Sequence, residues 1–212
     1  KAISSQTPDR LRTIAQAMRH GLSDEDIRSV TMFDPWFLAR IREIIVSEEE
    51  VRKNGLPKDS KGMRRLKMLG FTDARLAKLI DTNESVVRKA RLRLNIFAVF
   101  KRIDTCAAEF AAVTPYYYST YEGGNALRGI DKVQQDPSKG VRRMVVIGSG
   151  PIRIGQGIEF DYGCVHAVGA IRDMGHEAII INNNPETVST DFDTSDRLYF
   201  DPLTLESVIE IL

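Results

Sequence analysis

Several features that define common classes of protein are missing from this 212-residue sequence. No apolar run approaches the ~20 residues that a membrane-spanning helix needs, and no charged-then-apolar segment suggests a secretion signal. The two cysteines, Cys106 and Cys164, are far apart and fit no metal-binding spacing. Two isolated cysteines are typical of a reducing compartment. We therefore expect a cytoplasmic protein with no metal site, in which both cysteines pack as small apolar side chains.

The fingerprints of the common nucleotide-binding loops are also missing. The stretch GSGPIRIGQGIEFDY at 148–162 follows the apolar run MVVI, as a phosphate-binding loop would. A dinucleotide loop needs G-x-G-x-x-G, but Arg153 stands at the third glycine position, and asparagines 182–184 replace the acidic residue expected after the next strand. There is no P-loop lysine, and Pro151 removes a backbone N–H that a phosphate would need. The loop therefore does not predict a nicotinamide, flavin or triphosphate site.

The net charge of +1 conceals a strong segregation along the chain. Residues 1–51 have a net charge of −2, residues 52–102 carry 15 basic and 4 acidic residues, and residues 103–212 have a net charge of −8. Such asymmetry indicates either a surface that meets an acidic partner or nucleic acid, or a basic block that docks on the acidic one. Charge alone does not choose between these interpretations.

Helical signals dominate the chain from residue 8 to about residue 110. Five of the six predicted helices begin at a residue that favours the N-cap; these residues are Thr7, Ser23, Asp34, Thr72 and Asn83, and KGMRRLKMLG is predicted as a helix without a cap. The longest predicted helix has Pro35 at its first position and ends at Gly55. Its apolar stripe predicts a core-facing side made of Trp36, Phe37, Ile41, Ile44 and Ile45.

A different pattern begins after a glycine-rich, weakly apolar stretch that we interpret as a linker. From residue 141 onwards, strands alternate with helices, which is typical of parallel βαβ units. The predicted strands are RMVVIGSG, EAIIINNN and RLYFD, and the predicted helices are EFDYGCVHAVGAIRDMG and TLESVIEIL. Three strands are few for a covered parallel sheet, so we expect an unpaired edge and a bare helix face.

The predicted fold class is thus α+β multidomain. An all-helical N-terminal domain (1–125) is followed by a linker (126–140) and a truncated α/β parallel-sheet domain (141–212) that is Rossmann-like. The sequence begins with lysine and stops near a predicted helix, so we expect a piece of a longer chain.

Charged residues lie among the glycines of the 148–162 loop, a composition suited to a narrow but polar wall. Because both loops follow parallel strands, Glu186 is expected at the same edge of the sheet as Arg153 and Glu159. A structural interpretation stays open, in which Arg153 pairs with Glu159 or Asp161 and only ties the loop down.

The segment from Gly148 to Phe200 closely resembles the start of the second synthetase half in the large chain of carbamoyl phosphate synthetase. Upstream, DPWFLARIREI, GFTDARLAKL and FKRIDTCAAEF resemble the helical oligomerisation domain of that family. Two dissimilar blocks in the family's order are far more specific than one glycine motif. The family often has asparagine where this chain has Ile152, which puts one polar contact near the start of the loop in doubt.

The resemblance implies an ATP-dependent carbon–nitrogen ligase that serves pyrimidine and arginine biosynthesis. In this family, ammonia from a glutaminase small subunit combines with bicarbonate at the expense of two ATP, and an internal tunnel carries carbamate between the two halves. The tunnel motif matches here at Arg153, Gly157, Glu159 and Glu186. ATP and Mg would bind in an ATP-grasp module downstream, so we expect no catalytic residue, no metal and no cofactor in this piece, and homo-oligomers through the helical domain.

Two other interpretations stay open. TDARLAKLIDTNESVVRKARLRLN resembles a helix-turn-helix pair, whose second helix would present basic residues to nucleic acid; these are Arg88, Lys89, Arg91 and Arg93. Alternatively, the helical block is an assembly scaffold without chemistry. Tyrosines 116–118 and 121 would then lie at an interface, or would pack the helical block on the α/β block.

Overall fold

The structure is a computed structural model that describes residues 2–122 and 141–212. The chain divides into two compact units, Lys1–Asn95 and Ile96–Leu212, here called the helical unit and the α/β unit. The described part contains eight α-helices and a five-stranded mixed sheet, in agreement with the predicted α+β class. The predicted boundary at residue 125 and the linker 126–140 lie outside the described residues.

The helical unit contains the first six helices. They are α1 (Arg10–Arg19), α2 (Asp24–Thr31), α3 (Pro35–Asn54), α4 (Ser60–Met68), α5 (Asp73–Leu79) and α6 (Glu84–Arg93). Three predicted caps are confirmed, because the side chains of Ser23, Asp34 and Thr72 accept backbone N–H groups in the first turns of α2, α3 and α5. The predicted start at Thr7 is wrong, since α1 has its N-cap at Asp9, and Asn83 precedes α6 without a side-chain cap bond.

The core-facing side of α3 differs from the predicted stripe. Leu38 and Ile45 are buried, with Ile41 partly buried beside them, and they pack on Ile14, Met18 and Ile27 of the first two helices. Trp36, Phe37 and Ile44, which were predicted to face the core, are 62%, 54% and 37% exposed, so the prediction is wrong for them.

Two buried carboxylates hold the helical unit together through ion pairs. Asp73 is fully buried and contacts the Lys67 ammonium at 3.0 Å and the buried Arg91 guanidinium at 2.9 Å. Glu48 of α3 is also buried and contacts Arg19 at 3.0 Å and Arg75 as well. Burial opposes the ionisation of Glu48, but hydrogen bonds from Arg75 and Arg19 outweigh it and lower the pKa of the carboxyl group.

The α/β unit contains all five strands. They are β1 (Val99–Arg102), β2 (Tyr116–Thr120), β3 (Arg143–Ile147), β4 (Glu177–Ile181) and β5 (Arg197–Tyr199), with α7 (Glu159–Asp173) after β3 and α8 (Leu205–Ile211) after β5. The strand order is β1-β2-β5-β4-β3, in which only the β1–β2 pair is antiparallel. The three predicted strands and two predicted helices of this region are confirmed.

The prediction that the chain is all-helical up to residue 125 is wrong for β1 and β2. Both strands are short, and the tyrosine-rich run of β2 has a β-favouring composition that weak alternation concealed. β2 lies parallel to β5, so the upstream segment covers the outer edge of β5, and the edge strands of the described sheet are β1 and β3. Tyr117 is buried and stacks on Tyr199 with ring centroids 5.4 Å apart, so it belongs to the core of this sheet and not to the predicted interface.

Candidate functional site

The candidate site lies at the carboxyl edge of the parallel strands. Ile147 of β3 pairs with Ile181 of β4, so both strands end at the same level. The glycine-rich loop leads from β3 into α7, and the asparagine run leads from β4 into a short 3₁₀ turn at Val188–Thr190. Ligand crevices of open α/β sheets lie outside this edge. The two loops share it, as their positions after parallel strands predict.

The first glycines of the loop accommodate a buried asparagine. A Cβ atom at Gly148 would lie 2.5 Å from Cγ of Asn182, a side chain that is only 1% exposed. The Oδ1 atom of Asn182 accepts a hydrogen bond from the Gly150 N–H at 3.1 Å, and Gly150 has a φ of +75°, which favours glycine. The Gly150 N–H is thus used inside the protein, which agrees with the missing dinucleotide fingerprint.

Among the four predicted tunnel residues, all of which the structure describes, a hydrogen bond joins Gly157 and Glu159. Glu159 is the first residue of α7, and its Oε1 atom accepts the Gly157 N–H at 3.1 Å. A Cβ atom at residue 157 would lie 2.5 Å from Oε2 of Glu159. Hydrogen bonds from its own N–H and from the Gly157 N–H lower the pKa of the exposed Glu159 carboxyl group. The carboxylate therefore stays charged well below neutral pH.

Arg153 is exposed and lines a cavity of about 540 Å³. The other lining residues are Ser149, Pro151, Ile152, Gln156 and Phe160. The backbone N–H of Arg153 donates to Oε1 of Gln156 at 2.9 Å, which shapes the loop locally. Within the described ranges, no ion pair joins the Arg153 guanidinium to Glu159 or Asp161. The interpretation in which Arg153 only fixes the loop by pairing with Glu159 or Asp161 is therefore not supported by an ion pair in these ranges.

Glu186 lies on the loop after β4 and is exposed. Its N–H donates to Oδ1 of the buried Asn184 at 3.0 Å, which fixes the backbone at this point and leaves the carboxylate exposed. Glu186, Gly157 and Glu159 do not line the cavity that contains Arg153. The four residues thus share one edge of the sheet, and in the described part no hydrogen bond or ion pair joins Glu186 to the other three.

The residues that fix this edge are not among the predicted site residues. Asn182 and Asn184 were read only as departures from a dinucleotide motif, although their side chains hold Gly150 and Glu186. Asp161 was considered only as a partner for Arg153, yet it is 3% exposed and its Oδ2 atom accepts the Ser189 N–H at 2.7 Å. The available signal was the known tendency of asparagine and aspartate to bond nearby backbone groups.

Comparisons with known proteins match both units. The family model of the carbamoyl-phosphate synthetase large chain oligomerisation domain matches residues 1–95, and that of the carbamoyl phosphate synthase preATP-grasp domain matches residues 140–212. The carbamoyl phosphate synthase large chain of Mesorhizobium japonicum is 56% identical over 211 residues, that of Brucella melitensis 54%, and that of Methanothrix thermoacetophila 51% over 210 residues. The chain belongs to the carbamoyl phosphate synthase large-chain family.

The chain spans 18% of the length of these carbamoyl phosphate synthase large chains, and the matches cover 99–100% of it. The oligomerisation-domain match ends at residue 95, where the helical unit ends. The preATP-grasp match begins at residue 140 and includes the loops of the candidate site.

The nucleic-acid interpretation is not supported in this member of the carbamoyl phosphate synthase family. On α6, Arg91 is fully buried against Asp73, and Arg88 pairs with Glu84 at 3.1 Å. A recognition helix needs its basic side chains free to reach phosphates and bases, and two of the four predicted residues are committed to ion pairs inside the protein. The high positive charge of this block is therefore partly a structural feature.

Residues 2–122 and 141–212 contain neither a cluster suited to a metal ion nor a helix suited to a membrane. No cluster of three or more histidine, cysteine, aspartate or glutamate side chains that could hold a metal ion is found among them. None of the helices described is both long and apolar enough to cross a membrane.

Proposed function

We propose that this chain is part of a carbamoyl phosphate synthase large chain, an ATP-dependent carbon–nitrogen ligase that makes carbamoyl phosphate from bicarbonate, ammonia and two ATP. The observation that carries the proposal is the 56% identity over 211 residues, together with both family models. ATP and Mg²⁺ would bind in a downstream module, and a glutaminase small subunit would supply ammonia. We expect no catalytic residue in this piece, which contributes structure and transport to the full-length chain.

The glycine-rich loop is proposed to form part of the wall of a carbamate passage. Arg153 attracts the carbamate anion, while the carboxylates of Glu159 and Glu186 prevent it from binding tightly at one place. Conduction needs this balance, since an ion that binds too strongly does not leave. Support comes from the exposed charges of these residues and from the close approach of Glu159 to Gly157, so that a larger side chain at residue 157 would displace that carboxylate.

The test uses the full-length large chain with its glutaminase partner. Glu159→Ala, Glu186→Ala and Gly157→Phe are compared for bicarbonate-dependent ATP turnover and for carbamoyl phosphate output. We expect all three to lower the ratio of product to turnover by about tenfold, which corresponds to roughly 1.4 kcal/mol. Glu109→Ala is the matched control, because Glu109 is an exposed glutamate of the same unit outside the site. Unchanged ratios in all three variants would contradict the passage.

The helical unit is proposed to mediate homo-oligomerisation. Its most exposed large apolar side chains include Met32 at 82%, Trp36 at 62% and Phe37 at 54%, and the two rings contact each other edge to face at 5.0 Å. Large exposed apolar groups that lie close together mark interaction sites, and tryptophan and phenylalanine are enriched at interfaces. The family model that matches this unit is named for oligomerisation.

Sedimentation velocity over a range of concentrations tests this surface. Trp36→Ser and Phe37→Ser should weaken self-association by about tenfold or more, as expected for buried aromatic residues at an interface. Val86→Ser removes a comparably exposed apolar side chain from α6 and should leave association unchanged. Equal association of the three variants and the wild type would place the interface elsewhere.

A further inference from the structure

The segment that carries Glu186 is fastened to the start of α7 by one buried hydrogen bond. The Ser189 N–H donates to Oδ2 of Asp161 at 2.7 Å, across 28 residues of sequence. Asp161 is 3% exposed and Ser189 is fully buried, so water does not compete for the contact. Asp161 lies two residues after Glu159, and Ser189 lies three residues after Glu186. This hydrogen bond therefore connects the two short segments that carry the acidic residues of the proposed passage.

We propose that Asp161 is a positioning residue that fixes the Glu186 segment against the first turn of α7 and thereby sets the spacing between Glu159 and Glu186. The inference rests on the proposed function, because the spacing matters only where both carboxylates face one passage. The physical basis is the strength of the contact. A backbone N–H that donates to a carboxylate forms a hydrogen bond roughly twice as strong as a neutral one, and burial strengthens it further.

The environment of Asp161 indicates that its role is not stability alone. In the part of the chain that the structure describes, its Oδ1 atom has no hydrogen-bond partner, and no cationic side chain pairs with the carboxylate. A buried carboxylate with one strong contact and one unpartnered oxygen is costly compared with an amide or an apolar side chain. The net stability that this carboxylate contributes is therefore small for a buried contact, whereas its hydrogen bond still holds the Ser189 N–H in place.

A second contact holds the same segment from the sheet. The Tyr116 hydroxyl of β2 donates to the carbonyl oxygen of Thr190 at 3.1 Å. The 3₁₀ turn Val188–Thr190 is thus held at adjacent residues by α7 and by β2. Because the turn is fixed on both sides, only a short stretch of backbone separates Glu186 from residues that are held in place. The hydrogen bond from the Glu186 N–H to Asn184 restricts its movement further.

The test compares Asp161→Asn with Asp161→Ala in the full-length chain with its glutaminase partner. Asparagine keeps an oxygen that accepts the Ser189 N–H, whereas alanine removes it. We expect Asp161→Ala to speed hydrogen exchange of the Ser189 amide by about tenfold or more and to lower the ratio of carbamoyl phosphate to bicarbonate-dependent ATP turnover several-fold. Asp161→Asn should retain the ratio, because it keeps the hydrogen bond. If the negative charge of Asp161 were what mattered, Asp161→Asn would lower the ratio as well.

Asp196→Ala is the matched control. The Oδ2 atom of Asp196 also accepts a backbone N–H, that of Ala178 at 2.8 Å, but at the start of β4, the edge of the sheet opposite to the site. This variant should lower thermal stability and leave the product ratio unchanged. A parallel fall in stability and ratio for both alanine variants would reduce Asp161 to a structural residue and overturn the proposal.

The remaining outcomes separate this inference from the proposed function. Rapid exchange of the Ser189 amide in the wild type would show that the contact does not fix the segment. An unchanged ratio in Asp161→Ala, with lowered ratios in Glu159→Ala and Glu186→Ala, would refute the positioning role and leave the passage intact. Unchanged ratios in the two glutamate variants would refute the passage itself and with it the functional role of Asp161.

Discussion

Asp201 offers a quantitative test of the electrostatics of the α/β unit through the substitution Asp201→Asn. The residue follows β5 and is 3% exposed, and both of its oxygens accept hydrogen bonds from Ser119 of β2, one from the hydroxyl and one from the N–H at 3.2 Å. Burial raises the pKa of Asp201 from 3.8 to about 6, although the hydrogen bonds from Ser119 oppose the rise. The ionised carboxylate is therefore disfavoured in the folded protein.

The magnitude follows from linkage between proton binding and folding. Between about pH 4 and pH 6 the folded state holds the proton that the unfolded state has released, so the free energy of unfolding falls as pH rises. At about 1.4 kcal/mol per pKa unit, the full cost above pH 6 is roughly 3 kcal/mol, and it is absent below about pH 4. Asparagine carries no charge, its oxygen accepts the Ser119 N–H, and its amide donates to the Ser119 hydroxyl. We expect Asp201→Asn to stabilise the unit by about 2 kcal/mol near pH 8 and hardly at all near pH 3.5.

The unfolding of the two units can be followed separately, because tyrosine and tryptophan occur in different units. All six tyrosines lie between residues 116 and 199, in the α/β unit, and the single tryptophan is Trp36 in the helical unit. Urea unfolding is followed by tyrosine near-ultraviolet circular dichroism at several pH values, with tryptophan fluorescence as the internal control. Ser119→Ala removes the hydroxyl hydrogen bond to Asp201, which favours the ionised form, so it should steepen the loss of stability with pH. A constant effect of Asp201→Asn across this pH range would refute the reasoning.

Three further substitutions test the ion pairs and the close approach. Glu48→Ala removes a carboxylate with a lowered pKa, so it should cost the helical unit about 2–3 kcal/mol at neutral pH and less as pH falls below about 4.5; a pH-independent loss in urea unfolding would contradict this. Asp73→Ala should cost about 3–5 kcal/mol, because the fully buried Arg91 loses this carboxylate; a loss below about 1 kcal/mol would refute that role. Gly148→Ala should cost about 1–3 kcal/mol by displacing Asn182 and should speed exchange of the Gly150 amide; unchanged exchange would contradict the close approach.

Local signals carried most of what the sequence predicted correctly. The caps at Ser23, Asp34 and Thr72 were identifiable because a cap side chain bonds to a backbone N–H within three residues, so the sequence neighbourhood contains the whole interaction. β3 and β4 were identifiable because each is a continuous apolar run of a length typical for buried strands.

Features that depend on distant partners were not predictable in this way. β2 is a strand because β5 and β1 lie beside it, and β5 is far away in sequence. Arg91 appears in the sequence as one of several basic residues on a polar helix, and only the position of Asp73, 18 residues away, explains its burial. At the candidate site, the loops were predicted to share an edge, but the bond from Ser189 to Asp161 depends on tertiary packing.

At the carboxyl edge of the sheet, one set of residues fixes the backbone and a different set carries exposed charge. Asn182, Asn184 and Asp161 are buried, and each accepts a backbone N–H from one of the two loops. Arg153 and Glu186 are exposed, and in the residues described here neither forms an ion pair. An ion pair would have fixed these two side chains, but it would also have neutralised their fields. Fixing the backbone through buried side chains leaves the charges in place and available to act on an anion, which is what the wall of a carbamate passage requires.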